Sequence, residues 1–295
     1  MLSAMATPWD RAAPGYLEQW VPRFIPYHLD LIRELVLEVG QRVLVVSAGP
    51  GAEALAAVRA VDLEGHVRAT DKSEEMVRLC RERMELAGFG DTRRVRCEVA
   101  DASDTTGGPW DAVVCAFGLW QIDGTAPPGE ASPRDVALRR WAESLSPSGK
   151  VGLITWGPSE PEDPFERLFE TLREVEPKYA PPNPRVEAER DAMHALFARA
   201  GLVIVRHTVV RHPVTFPSNE AFVGAVREAC VWRRVWEEIG DVRMQKVATT
   251  YYSRNGGPDA PVSFEPAATL VLGARPGAEV ALENRPSMRV SKHPA

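Results

Sequence analysis

An α/β fold on a doubly wound, mostly parallel sheet is what this 295-residue chain predicts, and two observations predict it. Short apolar segments alternate with helix-favouring segments from residue 42 to residue 157. The segment "RVLVVSA" carries a continuous apolar run, as a strand covered on both faces should, and "WDAVVCAFG" reads as a second buried strand. Such repeated strand–helix alternation within a short stretch calls for parallel strands joined by right-handed crossovers.

Taken in order, residues 1–40 read as helical. "YLEQWVPRFIPYHLDLIRELVLEVG" spaces its apolar residues for a helix, with breaks at Pro22 and Pro26 and a stop at Gly40. "RVLVVSA" (42–48) is the first strand and "AEALAAVRAV" (52–61) the helix after it. "GHVRATD" (65–71) is a strand that ends in an acid. "SEEMVRLCRERMELAG" (73–88) is a helix capped by Ser73, with Glu74 and Glu75 in its first turn and Gly88 at its end. "RVRCEVAD" (94–101) is a third strand, again ending in Asp, and "WDAVVCAFG" (110–118) a buried fourth. "SPRDVALRRWAESL" (132–145) is helical, "SPSG" turns the chain, and "KVGLITWG" (150–157) is the fifth strand.

From residue 158 the pattern changes. Pro-rich "PSEPEDPF" and "PKYAPPNPRVEAER" bracket a helix at 165–175. A helix at 188–201, a long strand at 202–216, more helices and a final strand at 262–276 follow. The expected division is therefore an N-terminal helical lid (1–40), a core (41–157), a Pro-rich helical insertion over the substrate (158–200), a C-terminal part of the sheet with helices (201–275) and a flexible tail (276–295).

Composition narrows the function. A formal net charge of -6, with no run of five basic residues, argues against broad attachment to nucleic acid. No segment approaches the ~20 apolar residues that a bilayer crossing needs, and the first residues lack an apolar leader core, so a cytoplasmic protein without a membrane partner is expected. Cys80, Cys97, Cys115 and Cys230 form no C-x-x-C pair and have no histidine at zinc-ligand spacing. Reduced, mostly buried thiols and no metal site are the expectation.

The loop "SAGPGAEA" follows the first strand, where open parallel sheets bind their ligands. Gly49 and Gly51 let backbone approach a ligand closely, and the helix start beyond offers free N–H groups. Asp71 ends the second strand, where an acid can accept both hydroxyls of a ribose. Asp101 ends the third and can take an exocyclic adenine amine. Two acids without a basic cluster suit an adenosine that carries no pyrophosphate. That favours S-adenosylmethionine over NAD or FAD, and Ser47 and Ala52 stand where a dinucleotide loop prefers glycine.

These segments resemble the class I S-adenosylmethionine-dependent methyltransferases, especially the branch acting on small molecules. "VLVVSAGPGAEA" is similar to the family's V-L-D-x-G-x-G-x-G loop, and "ATDKSEEM" to its D-x-S-x-x-M signature. "VADASD" and "ESLSPSGKVGLITW" resemble the adenine-contacting segment and the entry to the fifth strand, and 202–216 with 265–274 fits the antiparallel sixth and seventh strands. The resemblance implies a Rossmann-like seven-stranded sheet, mostly parallel with an antiparallel last strand. It further implies that Ser47, Ala48, Gly49 and Gly51 pass close to the methionine part of the cofactor. Asp71 would hold the ribose, Lys72 or Met76 would flank the adenine, and Asp101 with the Ala102 N–H would read its edge. Phe117 and Gly118 would lie beneath the methyl-sulfonium. Two departures stand out: Ser47 replaces the first glycine, and Val45 replaces the usual acid.

Methyl transfer needs alignment and water exclusion, and a base only where the nucleophile must lose a proton. Tyr16 and Trp20, one helical turn apart, can roof the site; Trp120 and Gln121 follow the turn after the fourth strand, and Trp156 ends the fifth. His28 is the one histidine near this roof and the candidate base; Asp123 is a lone candidate for a metal ligand. The absence of an N/D-P-P-Y/F motif after the fourth strand points away from nucleic-acid and protein-amide substrates, and the Trp-rich lid with the Pro-rich insertion favours a small, partly apolar metabolite of secondary metabolism. Two rival readings are a protein on the same fold that binds the cofactor structurally without transferring methyl, and a nucleotide-dependent oxidoreductase.

Overall fold

The computed structural model describes residues 7–62, 64–90, 93–122, 130–178 and 190–278. The apolar segments form strands β1 (Arg42–Val46), β2 (His66–Asp71), β3 (Val95–Val99), β4 (Trp110–Ala116), β5 (Leu145–Trp156) and β6 (Val203–Arg211). Strands β7 (Val214–Phe216), β8 (Val262–Phe264) and β9 (Ala267–Ala274) follow. Seven of them form one sheet in the order β3-β2-β1-β4-β5-β9-β6. Strands β1 to β5 pair in parallel, and β9 pairs antiparallel with both β5 and β6. Only β9 is therefore reversed, which is the antiparallel last strand the sequence leads one to expect, and it pairs antiparallel with the other late strand, β6.

Proline accounts for two further corrections. The long strand expected at 202–216 breaks at Pro213, which offers no N–H to a ladder. Its second piece, β7, leaves the main sheet and pairs antiparallel with β8. The final strand expected at 262–276 breaks in the same way at Pro266, into β8 and β9.

The helices are α1 (Pro8–Gln19), α2 (Val21–Leu35), α3 (Ala52–Val61), α4 (Glu74–Leu86), α5 (Pro133–Glu143), α6 (Pro164–Val175), α7 (Arg190–Arg199), α8 (Asn219–Glu228), α9 (Cys230–Ile239) and α10 (Asp241–Arg254). Pro22 starts α2 instead of breaking it, because the N–H it lacks would be unpaired in a first turn anyway. Gly40 is not the helix end. Helix α2 stops at Leu35 with Val36 left-handed at φ 48, and Gly40 serves the turn into β1, donating its N–H to Val61 O at 2.9 Å.

The continuous apolar strands split by alternate residues between two layers. Val43, Val45, Ala112 and Val114 face α2, α3 and α4. Leu44, Val46, Val113 and Cys115 face α5 and α7, against Leu138, Trp141 and Phe197. The stretch expected to form one insertion at 158–200 sends its two described helices to different places. Helix α6 packs on α10, with Phe165 against Phe222 and Phe264. Helix α7 lies across the sheet against α5 and β6, where His194 Nε2 is 3.2 Å from His207 Nδ1. Helices α1, α8 and α9 pack on one another and complete a helical layer with α6 and α10.

Candidate active site

Strand β1 ends at Val46 and the chain turns through left-handed backbone, with φ 53 at Ser47, 51 at Gly49 and 79 at Gly51. The two glycines do different things. A Cβ at position 51 would lie 2.5 Å from Cys80 Sγ, so Gly51 lets the start of α3 press against α4. A Cβ at position 49 would meet nothing within 4 Å, so this side of the loop is open for another molecule. Ser47 fits because position 118 is glycine: a Cβ there would be 2.4 Å from that of Ser47. Gly51→Ala should destabilise the fold by about 1–3 kcal/mol in urea unfolding, from overpacking and a strained φ. Gly49→Ala, with no clash, should cost less than Gly51→Ala in the same measurement.

The acid after β2 is built into this loop. Asp71 Oδ2 accepts the Gly49 N–H at 2.9 Å and Oδ1 accepts the Ser73 N–H at 2.9 Å. Burial pushes the Asp71 pKa up, against those two bonds. Ser73 caps α4 as the sequence predicts, accepting the Met76 N–H at 3.1 Å. Lys72 and Asp101 form an ion pair at 2.7 Å on the outside, both well exposed. Burial raises the Asp101 pKa, but the Lys72 and Ser103 hydrogen bonds bring it down to about 2. Met76 is buried against α1 with Ala13, Tyr16 and Leu17. Ala102 gives its carbonyl to Trp141 Nε1 at 2.7 Å on the other side of the sheet.

Strand β4 delivers an aromatic cluster. Phe117 (φ 54) stacks on Trp156 at 4.3 Å and meets Phe24 at 5.6 Å and His28 at 5.7 Å. Tyr16 packs edge-on against Trp9 at 5.6 Å, and burial with nearby Glu53 and Asp71 raises its hydroxyl pKa, keeping it protonated. Trp20 is enclosed: it stacks on Phe24 and donates Nε1 to Ala225 O at 2.9 Å. After Gly118 a short 3-10 turn, Leu119–Gln121, meets α1, where Gln121 Oε1 accepts the Trp9 Nε1–H at 3.1 Å. Trp120 Nε1 and Gln121 Nε2 are buried without a hydrogen-bond partner. The structure thus brings Tyr16, His28, the 47–51 loop, Asp71, Phe117, Gly118 and Trp156 together. It leaves Lys72 and Asp101 at the rim and Trp20 in the packing behind. Asp123 lies outside the described residues.

His28 is 5% exposed, with Nδ1 3.3 Å from Glu53 Oε2. Burial, helped by Arg83, holds the imidazole pKa down to about 3, so the ring is neutral at ordinary pH. Glu53 and Asp10 are residues that sequence reasoning missed. Glu53 reads as an ordinary acid in a helix first turn, and only the packing of α2 over α3 reveals its burial. Asp10 had a legible signal, the capping box with Thr7 at the start of α1. Its carboxylate also accepts the Ser73 hydroxyl at 2.5 Å and the Glu75 N–H at 3.2 Å, which latches α1 onto α4. Burial raises the Asp10 pKa, but the bonds from Ser73, Thr7 and Glu75 outweigh it and hold it at about 2. A depressed carboxyl adds stability above its unfolded pKa and loses it as pH falls through the folded one. The stability deficit of Asp10→Ala in urea should therefore be full above about pH 4 and shrink as pH approaches 2.

Among the described residues, two surface cavities lie away from this loop. One of about 270 Å³ sits at the amino ends of the strands, beside Arg42, His66, Arg68 and Trp110. The other, of about 480 Å³, lies over α8 and α9 beside Arg227, Glu228 and Trp236. The first is walled by an arginine already engaged, since Arg68 is paired with Glu98 and Asp104. Neither reaches the 47–51 loop, where left-handed backbone and a buried acid lie together.

Residues 43–149, which run from β1 into β5, match the model of a methyltransferase domain. That match, on a seven-stranded sheet with one reversed strand, makes this part of the chain similar to methyltransferases. The fold is shared with the YcgJ protein of Bacillus subtilis, at 19% identity and a TM-score of 0.55 over 85% of this chain and 100% of that one. It is shared also with the BH2331 protein of Bacillus halodurans C-125, at 17% identity and a TM-score of 0.53 over 84% and 98%. No curated protein matches the sequence. The chain has no helix among the described residues that is long and apolar enough to cross a membrane. The residues present fit S-adenosylmethionine: an open loop face at Gly49, an acceptor at Asp71, and a buried carboxyl, Glu53, at the start of α3.

Proposed function

We propose that this methyltransferase acts in the cytoplasm on a small, partly apolar metabolite of secondary metabolism. The observation that carries the reading is the aromatic wall of Tyr16, Phe24, Phe117 and Trp156 beside the open loop face, with the unpartnered N–H groups of Trp120 and Gln121 close in sequence to Phe117. Bound S-adenosylmethionine supplies an electrophilic methyl group on a sulfonium. Asp71 takes the ribose hydroxyls, with Lys72, Met76, Asp101 and Ala102 around the adenine. Ser47, Ala48, Gly49, Gly51, Phe117 and Gly118 line the methionine end. The aromatic wall orients a flat or apolar acceptor and excludes water, which is most of what a methyl transfer asks of a protein. Trp120 and Gln121 donate to the acceptor's polar atom, and Tyr16 and Trp156 cover it. His28, neutral and enclosed, is too weak a base to take a proton from a reluctant nucleophile near neutral pH. Its contact with Phe117 suits a positioning role, and the acceptor is one that needs no strong protein base.

Calorimetric titration with S-adenosylmethionine, S-adenosylhomocysteine and NAD, followed by a methyl-transfer screen over small aromatic and apolar acceptors, tests this reading. Binding of the first two, with methylated product and inhibition by S-adenosylhomocysteine, is expected. Binding without any product would instead support a structural cofactor and a different reaction in the same site.

A further inference from the structure

We propose that Glu53 is the carboxyl that receives the α-ammonium group of S-adenosylmethionine, in place of the acid that strand β1 lacks at Val45. The inference rests on the cofactor placement above and deepens it. Glu53 is 2% exposed, in the first turn of α3, two residues after Gly51. A carboxyl so buried must either stay neutral or meet a cation. The groups that face it come from every neighbouring element: Tyr16 of α1, His28 of α2, Asp71 of β2, Cys80 and Arg83 of α4, and Cys115 of β4. Among the described residues the one within ion-pair distance is His28, whose Nδ1 at 3.3 Å makes no hydrogen bond and is itself buried without a partner. Arg83 influences Glu53 only from farther away.

The electrostatics agree with this geometry. Burial, with Asp71 adding to it, pushes the Glu53 carboxyl up to about 8, while burial pushes His28 down to about 3. The pair is thus two neutral groups near neutral pH and not a salt bridge. Val45 leaves β1 without a carboxylate at the position where the family carries one, yet the ammonium of an amino acid cannot enter an apolar pocket unpaired. Glu53 meets that need without a permanent charge in the empty protein. When the ammonium arrives, the Glu53 O–H bond breaks, the carboxylate pairs with the ammonium, and the proton leaves to solvent.

This predicts a proton balance. In the free protein Glu53 is largely protonated near pH 7; in the complex it is ionised. Titration of the protein with S-adenosylhomocysteine, in two buffers of different ionisation enthalpy, should show release approaching one proton per ligand near pH 7, fading above pH 8. Glu53→Gln should abolish the release and weaken the affinity about tenfold or more. 5′-Methylthioadenosine, which has neither ammonium nor carboxylate, should bind wild type and Glu53→Gln alike and release no proton. Wild type that binds S-adenosylhomocysteine with no proton release would overturn the proposal and leave the cofactor placement standing, whether or not the variant folds. Equal loss of S-adenosylhomocysteine and 5′-methylthioadenosine binding in a folded Glu53→Gln would overturn it too. Wild type that binds neither ligand would overturn the cofactor placement together with this inference.

Discussion

Asp71→Ala should weaken S-adenosylhomocysteine binding by about 10- to 150-fold, the loss of roughly 1.5–3 kcal/mol expected for hydrogen bonds to a charged group. Two contributions act in the same direction. On the proposed placement the ribose loses an acceptor, and the loop loses its fastening, because Asp71 Oδ2 is what the Gly49 N–H donates to. The second contribution should show without ligand as well: Gly49 and Ser73 would each lose an acceptor, at about 1–3 kcal/mol of stability if water does not replace it. Asp71→Asn separates the two. It keeps the volume, and its amide oxygen can still serve one of the backbone donors, so stability should recover further than affinity. Calorimetry and urea unfolding on the three proteins measure both quantities. Unchanged affinity in Asp71→Ala would place the adenosine somewhere else.

Much of this site is legible in the amino-acid sequence. The positions 47, 49, 51, 71 and 118 are set by local backbone chemistry, and local chemistry is what a sequence displays: strand ends, small residues, an N-cap at Ser73. The sheet's parallel core follows from apolar runs and their spacing. Other features rest on long-range packing, which no short window contains. Glu53 looks like a surface acid until α2 covers it, and Asp10 looks like a cap until its carboxylate also takes up Ser73. Pro213 and Pro266 carry a readable signal that the apolar run around them outweighs; the ladder has no N–H from either, so β7 and β8 form their own pair. The helical layer is hardest to read, because α6 and α7 follow one another in sequence and pack on different sides of the sheet.

Trp20 is the other place where a large effect is expected, and it separates roofing the site from touching the substrate. Its ring is 2% exposed, held between Phe24, Phe165 and Phe216 at 5.5, 5.5 and 5.6 Å, and its N–H is committed to Ala225 O of α8. It therefore ties α2 to α6, α8 and β7 at once. Trp20→Ala should cost about 3–5 kcal/mol in urea unfolding, from the cavity and from the carbonyl left without its donor. Trp20→Phe should restore most of the ring contacts but not the hydrogen bond, for a smaller loss of about 1–2 kcal/mol. The kinetic consequence distinguishes the two roles. A residue that contacts the acceptor changes its KM when the indole is replaced by a phenyl ring, whereas one that only joins the covering helices does not. Because the indole is enclosed on the side away from Phe117, the expected result is an unchanged acceptor KM in Trp20→Phe, with the same substitution at Trp156, which stacks directly on Phe117, raising it.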